Sequence, residues 1–520
     1  MKNKHLHNIS KHVQISVITV VGCFLLMLLI GCKESQIYQE QKISKYEANW
    51  ESLNKHQAAP EWIQDAKLGI YFHWGPYSVP AYGSAWYPHN MYKDKGDIRE
   101  YHEKTYGSIY EFGYEDFIPM FKAEKFDPED WAELFKNSGA KFAGPVAQHH
   151  DGFALWDSEV NPWNAADMGP KRDVLGDIFK SLEKRNIKTI ATFHHARNGQ
   201  RNAKKPEHWK DAYDSHYVYH PDLPTATTDP KLRKLFGNFE TIEQFNQYWL
   251  DQVNEVVDKY SPDILWFDSW LNLIPEDKRM QMMAHHFNNG LVKDKEVATA
   301  HKQEDLPLES SILDFEQGGR GDVHPLPWMT DITIGASRWM YVEGHPYKDA
   351  ALLVRNMIDV WSKNGIVLLN VSPRADGVIN QEQRDILGQI GDWLKTHGEA
   401  VYGTRPHVLF GYGPSRGGDG HNGSFSSTVN YDKDDVRFTV AKDKKSFYTF
   451  FLGVPEVGKK VSLRPIGGYH RNIPPGKIKD IKLLGSDVKV DWQLTSGDLF
   501  ITMPDTEYNS LAAVFKFELE

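Results

Sequence analysis

Leu68-Gly-Ile-Tyr-Phe-His73-Trp-Gly75 opens the body of this 520-residue chain with an apolar run that ends on a histidine and a tryptophan. Such a run, rich in branched and aromatic side chains, reads as a buried strand. The residues at its end narrow the fold class. A dinucleotide-binding unit would carry the glycines of a phosphate-cradling turn at this point, and Tyr71-Phe-His73-Trp-Gly75 stands there instead. Similar runs recur at Phe142–Ala147, Thr189–His194, Ile264–Phe267, Val297–Ala300, Ile312–Phe315 and Ile366–Val371. Segments of helical period separate several of them. Asp127-Pro128-Glu129-Asp130 supplies an N-cap, a first-turn proline and early acids ahead of Trp131–Asn137, with Gly139 placed to end the helix. Residues 241–260 put Ile242, Phe245, Trp249, Val253 and Val256 on one face, and 349–363 and 381–402 repeat the pattern, the last closing at Gly403. Strand and helix alternating over roughly 350 residues predict an α/β fold, a (β/α)8-like TIM barrel, with an open doubly wound sheet as the rival.

The character changes after Pro406. Gly417-Gly-Asp-Gly420 and Asn422-Gly423 break the chain into loops, and short alternating runs follow at Val436–Val440, Phe447–Leu452, Leu499–Met503 and Ala512–Leu519. This pattern predicts a C-terminal antiparallel β-sandwich over 406–520, behind a catalytic barrel over 51–405.

Composition narrows the function classes. The chain is 40% hydrophobic and 25% charged, which excludes a disordered or multi-span membrane protein. A net charge of −10 without a long basic run makes nucleic acid an unsuitable partner. Aromatic residues reach 13%, an excess that serves a large core or the faces of sugars. Both cysteines, Cys23 and Cys32, lie in the first 32 residues. There Lys2, Lys4 and Lys11 precede an apolar run from Val13 to Ile30, the pattern of an export signal. Leu29-Ile-Gly-Cys32 resembles a bacterial lipoprotein box, which implies removal of residues 1–31, lipid on Cys32, a polar tether over 32–50 and a membrane-anchored protein of the bacterial envelope, facing the periplasm or the cell surface. An uncleaved membrane anchor is the competing reading.

In a (β/α)8 barrel the active site is built at the carboxyl ends of the strands. The runs here end in phase on chemistry-bearing residues: His73-Trp74, His149-His150-Asp151, His194-His195, Trp266-Phe-Asp268-Ser-Trp270, His301-Lys302 and Asp314-Phe-Glu316. Paired carboxylates from different strand ends suit glycosidic bond cleavage, one attacking the anomeric carbon and the other protonating the leaving oxygen. Asp268, between Trp266 and Trp270, fits the first role; Glu316, near aromatic walls that favour its protonated form, fits the second. Their competing readings are a helix N-cap and a solvated loop acid. His194 reads first as a buried structural histidine. A metal site is disfavoured: no His-Glu-x-x-His pattern occurs, and sequence-adjacent histidines on a strand face opposite ways. Neither metal nor organic cofactor is expected.

At these residues the chain resembles the bacterial α-L-fucosidases of glycoside hydrolase family 29. The resemblance runs from about Lys67 to Arg405 through Lys67–Ser78, Phe126–Trp131, His149–Phe153, Asp167–Asp173, Trp266–Asp268, Ser362–Gly365, Leu368–Gly377 and Gly398–Arg405. It implies a retaining exo-glycosidase acting on terminal α-L-fucosyl residues of glycans or polysaccharides, with Asp268 as nucleophile and Glu316 as acid/base. It also implies that His73, His149 and His150 bond the sugar hydroxyls and that Trp86 flanks the ring. His195 joins them because many relatives carry a tyrosine after the third strand, where this chain has His194-His195. Trp74, Trp266, Trp270 and Trp339 complete the expected aromatic surroundings, the last three as an apolar patch for the C5 methyl group.

One position departs from the family. A glutamate that contacts the fucose hydroxyls commonly precedes the tryptophan matched by Trp86, and Ala85 replaces it. Losing a charged hydrogen-bond partner costs on the order of 1.5–3 kcal/mol, enough to retune specificity. Either His89, Asn90 or another loop group substitutes, or the enzyme prefers a fucose-like sugar such as α-L-galactose. A weakly catalytic carbohydrate-binding lipoprotein is the reading from a different class.

Overall fold

The computed structural model describes residues 45–199, 216–303, 305–420, 428–463, 477–495 and 498–520. The lipoprotein segment, Cys32 and most of the tether lie outside the described residues. The apolar runs become parallel strands β1 (Leu68–Phe72), β2 (Phe142–Gln148), β3 (Lys188–Phe193), β4 (Ile264–Phe267), β5 (Ala298–His301), β6 (Ile312–Leu313), β7 (Trp328–Thr333) and β8 (Gly365–Val371). They are hydrogen-bonded in the order β6-β5-β4-β3-β2-β1-β8-β7. A single parallel bridge between Asp314 and Met329 brings the two ends of the sheet together as a TIM-like barrel.

Seven of these strands coincide with the apolar runs; β7 escaped. Its sequence, Trp-Met-Thr-Asp-Ile-Thr, is interrupted by Asp331, which is almost wholly buried. An acid inside the barrel spoils the apolar pattern by which a buried strand is recognised. Among the described residues no helix separates β5 from β6, or β6 from β7.

The helices form where their caps are legible. Helix α1 (Pro128–Asn137) begins at Asp127, whose side chain accepts from the backbone of Glu129 and Asp130. Helix α2 (Val174–Glu183) is capped by Asp173. Helix α3 (Ile242–Tyr260) starts from a capping box of Thr241 and Gln244. Helices α4 (Glu276–Val292), α5 (Ala350–Ser362) and α6 (Gln381–His397) follow. The last stops at His397 and gives way to a short 3-10 turn, rather than running on to Gly403.

Inside the barrel the two-residue period of a strand sorts the side chains. Tyr71, Ile190, Ile264, Trp266, Ala298, Ala300, Met329, Ile366 and Leu368 share one apolar cluster, which Ile63 and Ala66 of the short helix Glu61–Ala66 join. Side chains of the opposite parity pack outward: Phe72 lies against Trp131 of α1, and Phe193 against Phe267.

After the barrel, two antiparallel sheets follow. One has the order β13 (Ile478–Leu483), β16 (Ala513–Leu519), β11 (Ser446–Phe451), β10 (Val436–Ala441), β9 (Thr404–Tyr412), and the other β12 (Lys460–Ser462), β15 (Leu499–Thr502), β14 (Asp491–Leu494). Phe438, Phe447, Phe515 and Phe517 from the first share a core with Leu499 and Ile501 from the second. The first sheet also meets the barrel helices: Arg437 of β10 reaches Asp359 of α5 at 2.6 Å, and the Trp393 indole of α6 donates to the carbonyl of Ala512.

Candidate active site

The strand parity that fills the barrel also builds its mouth. Continuing inward from Tyr71, Thr192, Trp266, Ala300, Asp314 and Met329, the next positions of that parity are His73, His194, Asp268, Lys302, Glu316 and Asp331. All six line one cavity of about 310 Å³, together with His149, His150, Trp86, Arg197, Trp270 and Trp339. Both histidines after β2 line it, because the β2–β3 register shifts between Val146 and Gln148 and the chain turns at once.

Lys302 is the centre of the cluster. Its ammonium lies 3.0 Å from Asp268, 3.1 Å from Glu316 and 3.2 Å from Asp331. Contacts of 3.0 and 3.1 Å to one nitrogen limit those oxygens of Asp268 and Glu316 to about 6.1 Å apart. Retaining glycosidases hold their carboxyl groups about 5–5.5 Å apart, whereas inverting enzymes need about 6.5–9.5 Å. Asp268 also accepts from Nε2 of His150 at 3.2 Å, and Asp331 accepts from the Tyr71 hydroxyl at 2.8 Å.

The surroundings pull the proton affinities of the two acids apart. Burial acts to raise Asp268, but Lys302, with His194 and His150, outweighs it and holds this carboxyl well below the usual range. Burial raises Glu316 as well. There Lys302 opposes it only in part, Asp331 and Asp268 add to it, and the net shift is upward. Burial disfavours the Lys302 cation, yet its acidic neighbours hold its proton well above the ordinary lysine value. Two carboxyl groups on one ammonium therefore differ in charge preference, the condition for dividing nucleophile from acid. The histidines are kept neutral by burial, His73 falling to about 4 and His149 and His194 well below the ordinary imidazole value.

His73 is oriented from behind. The Asn370 amide donates to the carbonyl of Trp339, so its oxygen is the acceptor for His73 Nδ1 at 2.8 Å. That fixes Nδ1–H and leaves Nε2 with the lone pair.

Of the expected sugar contacts, His73, His149, His150, Trp86 and Trp339 line the cavity with Asp268 and Glu316. Three sit elsewhere. Trp74 has outward parity: it packs on Phe121, Phe126 and Trp131 and donates to the carbonyl of Arg374. His195 also points outward, between Phe193 and Trp249, and its neighbour His194 faces the cavity. Trp266 has inward parity but lies one layer down, fully buried, its ring 4.9 Å beneath the Lys302 ammonium. Sequence reasoning placed Lys302 at a strand end without giving it a role and passed over Asp331, Arg197 and Asn370; counting by twos from Ile190 and Ala300 would have favoured His194 over His195 and Lys302 over His301. Neither His89 nor Asn90 is among the described residues lining the cavity, whereas Ser84, Ala85, Arg197 and Trp270 are. Arg197 is held between the rings of Trp86 and Trp270, 4.7 and 4.9 Å from their centres.

Known proteins resemble the chain over the same span. The sequence model of a family described as Alpha-L-fucosidase matches residues 34–399. Human tissue alpha-L-fucosidase is 26% identical over 512 residues, covering 95% of this chain and 96% of that protein. The crystal structure of Thermotoga maritima alpha-fucosidase in complex with fucose aligns with a TM-score of 0.69 at 28% identity, over 91% of this chain and all of that one. The same enzyme with a mechanism-based inhibitor aligns at 0.71 and 27% identity.

Proposed function

This chain belongs to the alpha-L-fucosidase family and is a glycoside hydrolase of α-L-fucosyl residues, and on that premise we propose that it acts by double displacement on terminal residues, with Asp268 as nucleophile and Glu316 as acid/base. In the first step a carboxylate oxygen of Asp268 bonds to the anomeric carbon as the glycosidic bond breaks. Glu316 gives its proton to the departing oxygen. In the second, Glu316 takes a proton from water, whose oxygen displaces Asp268 and releases the sugar with net retention. Lys302 touches both acids, favours the anionic state of Asp268 and acts on the reaction through them.

The observation that carries this reading is the single buried ammonium between two acids whose proton affinities are driven apart. The test is proton NMR of p-nitrophenyl α-L-fucoside hydrolysis at early times. α-L-Fucose as the first-formed anomer is expected, and the β-anomer would overturn the double displacement.

Ala85 in the cavity lining favours a second specificity, α-L-galactosides, because no carboxylate stands at that position. Comparing kcat/KM for the two nitrophenyl glycosides decides between them. We further propose that Cys32 carries lipid and anchors the enzyme in the bacterial envelope, on the basis of Leu29-Ile-Gly-Cys32 after a basic and apolar segment. Labelled palmitate entering the wild type but not Cys32→Ala is the expected result. No helix among the described residues is long and apolar enough to cross a membrane.

A further inference from the structure

We propose that His73, His149 and His194 form a three-imidazole site for a divalent transition cation of the zinc class, sited in the substrate cavity so that cation and sugar compete. The ligand atoms of these three residues lie within 4.8 Å of one another, and all three side chains are buried. Their ring centres are 5.3 Å (His73–His149), 5.3 Å (His73–His194) and 4.8 Å (His149–His194) apart. A zinc–nitrogen bond of about 2.0–2.1 Å puts each ring centre about 3.2 Å from the metal, so ligands about 90–110° apart have centres separated by about 4.5–5.2 Å. The observed triangle is close to that range, and small side-chain rotations would complete it.

The donor chemistry agrees. His73 is fixed by Asn370 with its Nε2 lone pair available, the outer-shell arrangement that orients a ligating imidazole. Nδ1 of His149 and of His194 is buried without a hydrogen-bond partner among the described residues. Neutral imidazole is the ligating form, and burial keeps all three rings neutral. Among the charges acting on His73, Asp268 and Asp331 favour a cation and Lys302 opposes it. Three imidazoles suit zinc, copper, nickel or cobalt rather than the oxygen-seeking magnesium or calcium. The cation is a competitor here and has no part in bond cleavage. His194 is the distinguishing residue, since without it only two nitrogens remain.

The inhibitory half of this proposal rests on the glycosidase reading; the binding half does not. Metal-free full-length protein is titrated with cobalt chloride, following visible d–d absorption, and with zinc chloride by calorimetry. One equivalent of either is expected to bind the wild type. His194→Phe and His194→Gln should lose this binding, with thermal unfolding curves verifying that each variant is folded. Zinc at about ten times its dissociation constant should lower fucoside turnover on the order of tenfold at subsaturating substrate, with recovery after EDTA. Failure of the wild type to bind cobalt or zinc, or stoichiometric binding retained in both folded variants, would overturn the proposal. Stoichiometric, His194-dependent cobalt binding by a protein that cleaves no fucoside would uphold the metal site and remove the glycosidase reading alone.

Discussion

Two buried ion clusters sit on the same barrel and do opposite work. At the mouth, one lysine faces Asp268, Glu316 and Asp331, so acids outnumber the cation and the group opens onto the cavity. At the seam with the C-terminal sheet, Asp359 of α5 is held between Lys363 at 2.7 Å and Arg437 at 2.6 Å. The seam cluster is satisfied: Arg437 also donates to the carbonyls of Val436 and Ser415 and lies over the Tyr431 ring. Burying charges is costly unless every partner is supplied. The seam supplies them and so joins two layers. The mouth leaves protons shared unevenly among its acids, and that imbalance is what a two-carboxyl catalyst requires.

Substitutions should separate the two clusters. Asp268→Ala is expected to lower turnover of α-L-fucosides by about a thousandfold or more while the thermal unfolding curve stays near wild type, because it removes the proposed nucleophile but not the fold. Glu316→Ala should lower turnover by about 10²–10⁴-fold for alkyl fucosides, and far less for the nitrophenyl fucoside, whose leaving group needs little protonation. Equal losses on both substrates would move the acid role to another residue. At the seam, Asp359→Ala leaves the buried Lys363 and Arg437 without their acid and is expected to destabilise the protein by about 3–5 kcal/mol in urea unfolding. Activity per folded molecule should be unchanged; a comparable loss of kcat would erase the contrast between the two clusters.

The smallest effect tests the imbalance itself. The enzyme should lose activity as pH rises through the elevated pKa of Glu316, which must arrive protonated, and on the acid side only where Asp268 takes up its proton. Removing the cation in Lys302→Met destabilises both carboxylates, so both limbs of the kcat/KM profile should move to higher pH by roughly 1–3 units. A profile that stays in place would mean that Lys302 only fills space.

Much of this architecture was legible locally. Asp127, Thr241 and Asp349 announce helices, and apolar runs ending on His73, His149, His194, Asp268 and Glu316 announce strands with a common functional end. Parity was legible too, but choosing His195 and Trp74 as sugar contacts overlooked it: inward positions at Tyr71 and Ile190 require His73 and His194, and send Trp74 and His195 into the outer layer. Strand β7 was hidden because Asp331, which marks the site, also breaks the apolar signal of the strand that carries it.

Amino-acid order alone determined the alternation of strand and helix, the end of the barrel where polar groups gather, and the two acids suited to glycoside cleavage, since each is encoded by neighbours a few positions away. Tertiary structure alone decided that Lys302 would stand among Asp268, Glu316 and Asp331, and that Asn370 of β8 would orient His73 at the end of the neighbouring β1. Those contacts join separate strand ends whose distances are set by closure of the sheet, and the net charge preference of each acid follows from burial that no local spacing records.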